Sequence, residues 1–536
     1  MELLMTHGYM LTGTGSNIYV QNLCRALVQT GHAVHLLCQD PDPARFDFVD
    51  RALTASASGV ELLREQETPY SGRCSVYQPR IGDLLPVYVY DDYPGWRVKT
   101  FLDLSEEELS DYLSANTDAL ASALASVTAA AQTGTGIEFA ATNHSLPGPL
   151  VARRVLEPAG IPYVSVVHGS CLQYVARHSP RYMDLAREGL AAASSIVALS
   201  GHSAGTIAED FPEFEPKTRS LPGGVDTTTF APERLDLNIT YKLLGGGGRS
   251  EPQRTALRGL LEPTGSPLEA DLTARGLGEI SGSYDARQPD VDAGDRIRTV
   301  LQGPEPVIVY VGKLIHSKGV HSLLAAFPEI HAATNARLLI FGFGTFREAL
   351  EALNLSFNLN DTGFQSLFAR AGRRFEGGPS APVEHFSPQF PVPDESICRA
   401  ARAVEFVGPL YHEELSRLLP RADVAVVPSI FPETFGLVAA EFGASGVVPF
   451  VADHSGLREA GAHVGQDLDF DLRVSLEGSF QDNLSYALIS YLRLPEGRRR
   501  AAERRVRRNC VEGLSWEALA DNLLRLAPHA ADPPQR

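Results

Sequence analysis

Cysteine is scarce and scattered in this sequence of 536 residues. Its six cysteines, Cys24, Cys38, Cys74, Cys171, Cys398 and Cys510, include no CxxC pair. That spacing excludes a zinc ribbon, a redox dithiol and a disulfide-dense scaffold, and it fits a reduced chain. No apolar run approaches the roughly 20 residues of a membrane span. The opening Met1-Glu2-Leu3-Leu4-Met5-Thr6-His7 lacks the basic segment of a signal peptide. The expectation is a soluble, cytoplasmic protein. Positive charge is also short, since 47 Lys and Arg stand against 65 Asp and Glu, a formal net charge of −18. Such a balance offers no footprint for nucleic acid and works against an anionic membrane surface. Lysine itself is rare: Lys99, Lys217, Lys242, Lys313 and Lys318 are all there are.

What is present is ample apolar material, 44% of the chain, enough for about three domains of roughly 100–200 residues each. Short apolar runs alternate with amphipathic stretches. Residues 2–5, 18–29 and 32–37 read as a βαβ opening. Residues 40–100 show no clear pattern, and 103–132 reads as a long helix or a helix pair. Strands are expected at 138–142, 163–167 and 195–199. A second series follows at 306–311, 338–341, 404–407, 424–427 and 447–451. Strands alternating with helices predict an α/β chain with two doubly wound parallel sheets.

The expected division is a first domain over 1–228, a linker with an insertion over 229–304, a second domain over 305–510 and a helix over 511–536 returning to the first. Residues 353–400 read as a surface excursion from the second domain. The run Gly245-Gly246-Gly247-Gly248 is not followed by the Lys and hydroxyl residue of a phosphate loop, so it reads as flexible chain.

Chemistry concentrates at two points of the second series. Directly after the apolar run 424–427 comes Pro428-Ser429-Ile430-Phe431-Pro432-Glu433-Thr434-Phe435-Gly436-Leu437-Val438-Ala439-Ala440-Glu441. A helix is expected to begin near Phe435, leaving Glu433 in the loop and Glu441 inside the helix. The first amides, at Phe435, Gly436 and Leu437, would then face an anion, while a carboxylate accepts hydrogen bonds from a vicinal diol. The bland alternative is a pair of carboxylates complementing the helix dipole. The other point is Val311-Gly312-Lys313-Leu314-Ile315-His316-Ser317-Lys318-Gly319, which gathers two of the five lysines at one strand-to-helix turn. A diphosphate clamp accounts for that placement; two solvated lysines would be the alternative. Gly342-Phe343-Gly344-Thr345 lacks the third glycine of a dinucleotide fingerprint.

The Lys313 and Lys318 turn followed by Glu433 and Glu441 resembles the retaining glycosyltransferases of family 4, including the inositol-phosphate and sucrose types. Further segments are similar to that family in the expected order. They are Gly13-Thr14-Gly15-Ser16-Asn17-Ile18-Tyr19-Val20, His168-Gly169, Leu221-Pro222-Gly223-Gly224-Val225-Asp226, Phe406-Val407-Gly408-Pro409-Leu410, His454-Ser455-Gly456-Leu457-Arg458-Glu459 and Leu514-Ser515-Trp516-Glu517.

The resemblance implies the GT-B fold, two Rossmann-like domains facing across a cleft, and transfer of a sugar from a UDP- or GDP-sugar to a hydroxyl acceptor with retention. Small-molecule, glycan and lipid-linked acceptors all stay open. It implies that Lys313 and Lys318 bind the donor diphosphate together with the backbone of Gly15, Phe435, Gly436 and Leu437. Glu441 would take the ribose and Glu433 the transferred sugar. His168 would sit beside the reacting carbon, and Asn17 would touch the acceptor. Catalysis would rest on His168, Glu433 and Lys318. No metal cofactor is expected: Asp290-Val291-Asp292 falls in the insertion and Asp91-Asp92 in unassigned sequence. Three departures from the family pattern stand out, namely Thr14 before Gly15, Lys313 in place of arginine and Gly223 in place of asparagine.

Two other readings share these features, a nucleotide-sugar-binding protein without turnover and an epimerase or hydrolase on the same architecture. Tyr88, Tyr90, Tyr93 and Trp96 would either stack on a sugar or plug a loop. The arginines Arg498, Arg499, Arg500, Arg504, Arg505, Arg507 and Arg508 lie on a helix that is either solvated or docks peripherally on anionic lipid.

Overall fold

The computed structural model describes residues 1–90, 93, 95–131, 136–233, 244, 246–261 and 269–527. The chain forms two compact units, one of Met1–Gly224 joined by the segment from Leu514 onward, the other of Val225–Gly513.

In the first unit the described strands are β1 (Glu2–Thr6), β2 (Ala33–Leu37), β3 (Arg51–Ser56), β4 (Gly59–Glu65), β5 (Arg73–Pro79), β6 (Leu84–Val87), β7 (Arg97–Thr100), β8 (Phe139–Asn143), β9 (Tyr163–Val167), β10 (Ser195–Ala198) and β11 (Thr218–Ser220). Nine of them make one sheet in the order β11-β10-β9-β8-β1-β2-β5-β3-β4, and β6 pairs with β7 apart from it. Within the large sheet only the edge strand β4 runs antiparallel, against β3. The strand order reverses between β1 and β8.

Alternation along the strands explains the layers. Leu4, Tyr163 and Val167 belong to the core on one face of the sheet, while Leu3, Met5, Val164 and Val166 belong to the core on the other. The helix Gly15–Gln29 buries Tyr19, Val20, Leu23, Cys24 and Leu27 in that second core. So does the helix Trp516–Leu524, through Trp516, Leu519, Ala520 and Leu523. Tyr19 meets the Trp516 indole edge-on, ring centroids 5.5 Å apart. Gly224 lies under the same indole, where a Cβ would collide with it.

Residues 106–130 form one helix, started by a capping box between Ser105 and Glu108. The segment 40–100 is not irregular as expected. It supplies β3, β4 and β5 to the main sheet, and their apolar residues, broken by Arg, Thr and Gly, hide a period that backbone pairing makes plain. Asp91 and Asp92 lie outside the described residues.

The second unit contains β12 (Val307–Val311), β13 (Arg337–Phe341), β14 (Val404–Gly408), β15 (Val424–Val427), β16 (Pro449–Ala452) and β17 (Arg473–Val474). They form a parallel sheet in the order β14-β13-β12-β15-β16-β17. Both of its irregular segments need correction. The supposed linker 229–304 carries the helices Glu251–Leu261, Ala270–Ser281 and Ala293–Leu301. Its charged residues are paired: Asp290, 1% exposed, accepts from Arg296 and from Arg347 beyond the segment, while Arg254 and Arg296 hold Asp292. Likewise 353–400 is helical at both ends, with Arg347–Leu359, Thr362–Ala371 and Asp394–Ala401, while 377–393 between them is irregular, as expected.

Most arginines of the helix Glu496–Gly513 are engaged. Arg498 pairs with Asp469 and Arg505 with Asp467, while Arg507 donates to the carbonyls of Thr227, Phe230 and Ala444. Among the described residues no helix is long and apolar enough to cross a membrane.

Candidate functional site

In the second unit β12 and β15 are neighbours, paired at Ile308 with Val424. The strand order reverses between them, and the carboxyl edge at such a switch point leaves a crevice where ligands bind in open α/β sheets. Two loops leave this edge. One follows β12 and enters the helix Val320–Thr334 through the single turn His316–Lys318. The other follows β15 and enters the helix Leu437–Ala444.

The loops interlock. Ile430 N–H donates to the Ser317 carbonyl at 2.9 Å. Gly319 has φ +66°, and a Cβ there would collide with the Pro428 carbonyl oxygen, so backbone approach and left-handed conformation both demand glycine. Across this contact the Lys318 ammonium pairs with the Glu433 carboxylate.

Glu433 is further held in a closed circuit of hydrogen bonds. Its N–H donates to Ser455 Oγ at 2.9 Å, and that hydroxyl lies 3.0 Å from His454 Nδ1. His454 Nε2 lies 2.6 Å from the Ser429 carbonyl, and Ser429 Oγ donates back to Glu433 Oε1 at 2.8 Å. Because a carbonyl only accepts, the circuit assigns the proton to Nε2 and leaves Nδ1 to accept from Ser455. Glu433 is thereby aimed by three loops at once.

The helix after this loop starts at Leu437, two residues later than Phe435. Gly436, at the N-cap, takes φ +93°, and Phe435 turns its ring into the core at 2% exposure. The opening amides of the helix from Leu437 onward are the ones without an intrahelical carbonyl partner. Glu441 sits one turn further along. Burial pushes its carboxyl above the usual carboxylate range, and His412, with Nε2 3.5 Å from Glu441 Oε1, draws it back. The His412 ring packs edge-on against Phe230. Lys313 is exposed earlier in the loop that carries Lys318, its carbonyl accepting from the Tyr310 hydroxyl at 2.9 Å. Lys313, Lys318, Glu433, Gly436, Leu437 and Glu441 therefore share one edge of one sheet.

The other three expected residues lie in the first unit, again at a carboxyl edge. His7, His144 and His168 directly follow the adjacent strands β1, β8 and β9. Their rings form a row, 5.9 Å from His7 to His144 and 4.9 Å from His144 to His168. His168 Nε2 lies 2.9 Å from Asn143 Oδ1, and the Tyr19 ring meets the imidazole edge-on. Burial depresses all three: His7 to about 4, His168 to about 3, His144 well below its ordinary value. They are neutral at pH 7. Patterning did not single out His7 or His144; each is visible only as the residue after a strand.

Gly15 is exposed at the start of its helix, with open space where a Cβ would stand. Asn17 differs from expectation. It is 1% exposed, with Oδ1 at 2.9 Å from His7 Nε2 and Nδ2 donating to the Thr12 carbonyl at 2.6 Å. Both ends of the amide are occupied, so the side chain braces the 12–14 loop and does not present itself to an acceptor. Tyr88 is likewise a core residue, its hydroxyl donating to the Leu146 carbonyl and its ring stacked on Phe101.

Residues 14–222 match the family described as Glycosyl transferase 4-like domain, and residues 294–368 with 397–507 match Glycosyl transferases group 1. The chain is 32% identical to a glycogen synthase of Mycobacterium tuberculosis over 257 residues, 47% of this chain and 48% of the relative. It is 30% identical to an uncharacterized glycosyltransferase of Methanocaldococcus jannaschii over 163 residues, 30% of this chain and 31% of the relative. The matches thus span less than half the length of these curated relatives.

Among solved structures, the sucrose-phosphate synthase of Thermosynechococcus elongatus superimposes with a TM-score of 0.51 at 18% identity, covering 98% of both chains. Anabaena HepE, solved in complex with UDP and glucose, gives 0.50 at 11% identity, also covering 98% of both. These likenesses carry the GT-B fold.

Proposed function

Because the chain belongs to the glycosyl transferase 4-like, group 1 family of glycosyltransferases, we propose that it moves a hexose from a UDP- or GDP-sugar to a hydroxyl acceptor with retention of anomeric configuration. The observation that carries this reading is the meeting of Lys318 and Glu433 at the switch point of the second unit, beside the start of the helix Leu437–Ala444.

Breaking the bond between the anomeric carbon and the diphosphate oxygen builds negative charge on the leaving group and positive character on the sugar. Lys318 and Lys313 oppose the first, together with the opening amides from Leu437, because fixed cations and dipoles need no reorganisation as charge develops. Glu433, aimed by its hydrogen-bond circuit, accepts from hydroxyls of the transferred sugar. Glu441 accepts from the ribose diol. In this reading the diphosphate charge is met by lysines and backbone, so the reaction requires no metal.

The acceptor side belongs to the first unit. There the exposed helix start at Gly15 approaches phosphate by backbone, and neutral His168 offers a hydrogen bond to a sugar hydroxyl without adding charge. The acceptor is a small molecule, a glycan or a lipid-linked alcohol. Six free cysteines, five of them buried, support a reducing, cytoplasmic setting.

A thermal-shift screen of UDP-, GDP- and ADP-sugars tests the reading. A true donor at 100 times its Kd adds about 2.7 kcal/mol of stability. A shift with a UDP- or GDP-sugar supports it; no shift with any of the three classes overturns it, and a shift confined to ADP-sugars overturns the choice of base.

A further inference from the structure

Residues 369–396 fall between the two stretches that match the group 1 family, yet they grip the loop that carries Lys318. The His316 N–H donates to Glu376 Oε1 at 3.1 Å. The His316 imidazole, its side chain 6% exposed, places Nε2 2.7 Å from Glu384 Oε2. One turn on, His321 Nε2 lies 2.9 Å from the Glu384 carbonyl, and Ser322 Oγ donates to the His385 carbonyl at 2.8 Å. The imidazoles of His316 and His321 stack almost parallel at 5.1 Å, with Phe346 packed against both.

The segment is itself anchored. Val383 N–H donates to the Ala369 carbonyl at 3.0 Å, Arg373 donates to Glu384, and Ser387 N–H donates to Gln481. Phe386 packs against Phe368 of the helix Thr362–Ala371. The turn His316–Lys318 is therefore held from two directions. The loop after β15 meets it through Ser317 and Lys318, and residues 376–385 meet it through His316, with His321 and Ser322 just beyond.

We propose that residues 369–396 are a working part of the donor site, and that Glu384 is a positioning residue which fixes the Lys318 turn through His316. This rests on the donor reading above. A lysine reaches its anion on a long, freely rotating stem, so the accuracy of its charge depends on how firmly the backbone beneath is seated. His316 lies two residues before Lys318 in a single turn of three residues, and a shift of the imidazole moves the turn as a body. Glu384 is itself 55% exposed, so its contribution to global stability is small, and its effect on the turn can be separated from an effect on folding.

The test is titration calorimetry of UDP, GDP and ADP with the full chain, alongside melting temperatures. Glu384→Ala is expected to weaken the nucleotide that binds wild type by about 10-fold, the worth of one charge-assisted hydrogen bond, with Tm little changed. Glu384→Gln, which keeps a carbonyl oxygen facing His316 Nε2, is expected to restore most of the affinity. If Glu384→Ala binds like wild type while Lys318→Ala does not, the brace is overturned and the donor reading stands. A lower Tm with unchanged affinity overturns it as well. If wild type binds none of the three nucleotides, the donor reading fails and this inference falls with it.

Discussion

Lys318 and Glu433, 115 residues apart in the chain, meet as an ion pair because β12 and β15 are neighbours in the second sheet. Each is half-buried, and each comes from a loop that the other loop holds by backbone contacts. A group placed this way meets developing charge without having to move first. Lys318→Ala is expected to lower turnover by about 100- to 1000-fold, the scale for removing one preorganised electrostatic partner. Lys318→Arg keeps the charge but changes its shape and recovers only part of the rate. Steady-state assays with the identified donor check both.

Gly319→Ala is expected to be among the most damaging small changes in the protein. The added methyl has to displace the Pro428 carbonyl while the backbone holds a left-handed φ. A loss of about 1–3 kcal/mol in stability follows from the strain alone, and nucleotide affinity falls with it because the two loops part. Chemical denaturation and calorimetry read the two effects; wild-type values in both would refute the interlock.

Glu441→Ala is expected to weaken nucleotide binding by roughly 10- to 100-fold, the worth of hydrogen bonds from a diol to a carboxylate. Burial raises the carboxyl of Glu441, so affinity in wild type should also fall on acidification before an ordinary glutamate would protonate. The alanine variant lacks that pH dependence. Titrations at several pH values distinguish the two proteins.

The row His7, His144 and His168 makes the first unit sensitive to acid. Each is depressed by burial in the folded state, to about 4 for His7 and about 3 for His168. The unfolded chain therefore binds more protons than the folded one below about pH 6.5. The stabilising contribution is complete above that value and is lost as pH falls toward 4, by up to about 1.4 kcal/mol per unit for each histidine. Melting curves from pH 7 to pH 4.5 should show a steep decline, and replacing His168 by Asn should flatten it. A flat wild-type profile would contradict the buried row.

Much of this was legible in advance, for identifiable reasons. Val307–Val311 is buried on both faces and reads as an unbroken apolar run, and Tyr163–Val167, buried likewise, is interrupted only by Ser165. Lys313 and Lys318 stand out because lysine is rare, and Glu433 and Glu441 stand out by following a strand. What stayed hidden depends on partners far away in the chain. The helices of 251–301 looked like linker because the charges flanking them, Arg249 and Asp290, are matched by Glu351 and Arg347, which sequence order does not bring near. The circuit through Ser429, His454 and Ser455 exists only once β15 and β16 lie side by side. Asn17 faces inward because β1 places His7 beneath it, a fact of packing that no local pattern encodes. The late start of the helix at Leu437 follows from the left-handed Gly436.

The return of the helix Trp516–Leu524 to the first unit has a consequence for synthesis. Residues 225–513 are contiguous, whereas the first unit is built from two separate stretches of chain. The first unit, although begun earlier, must wait with the seat around Tyr19 and Gly224 uncovered until residues 514–527 have been made. The first unit, begun before the second, thus receives its closing piece only after the whole of the second has been translated.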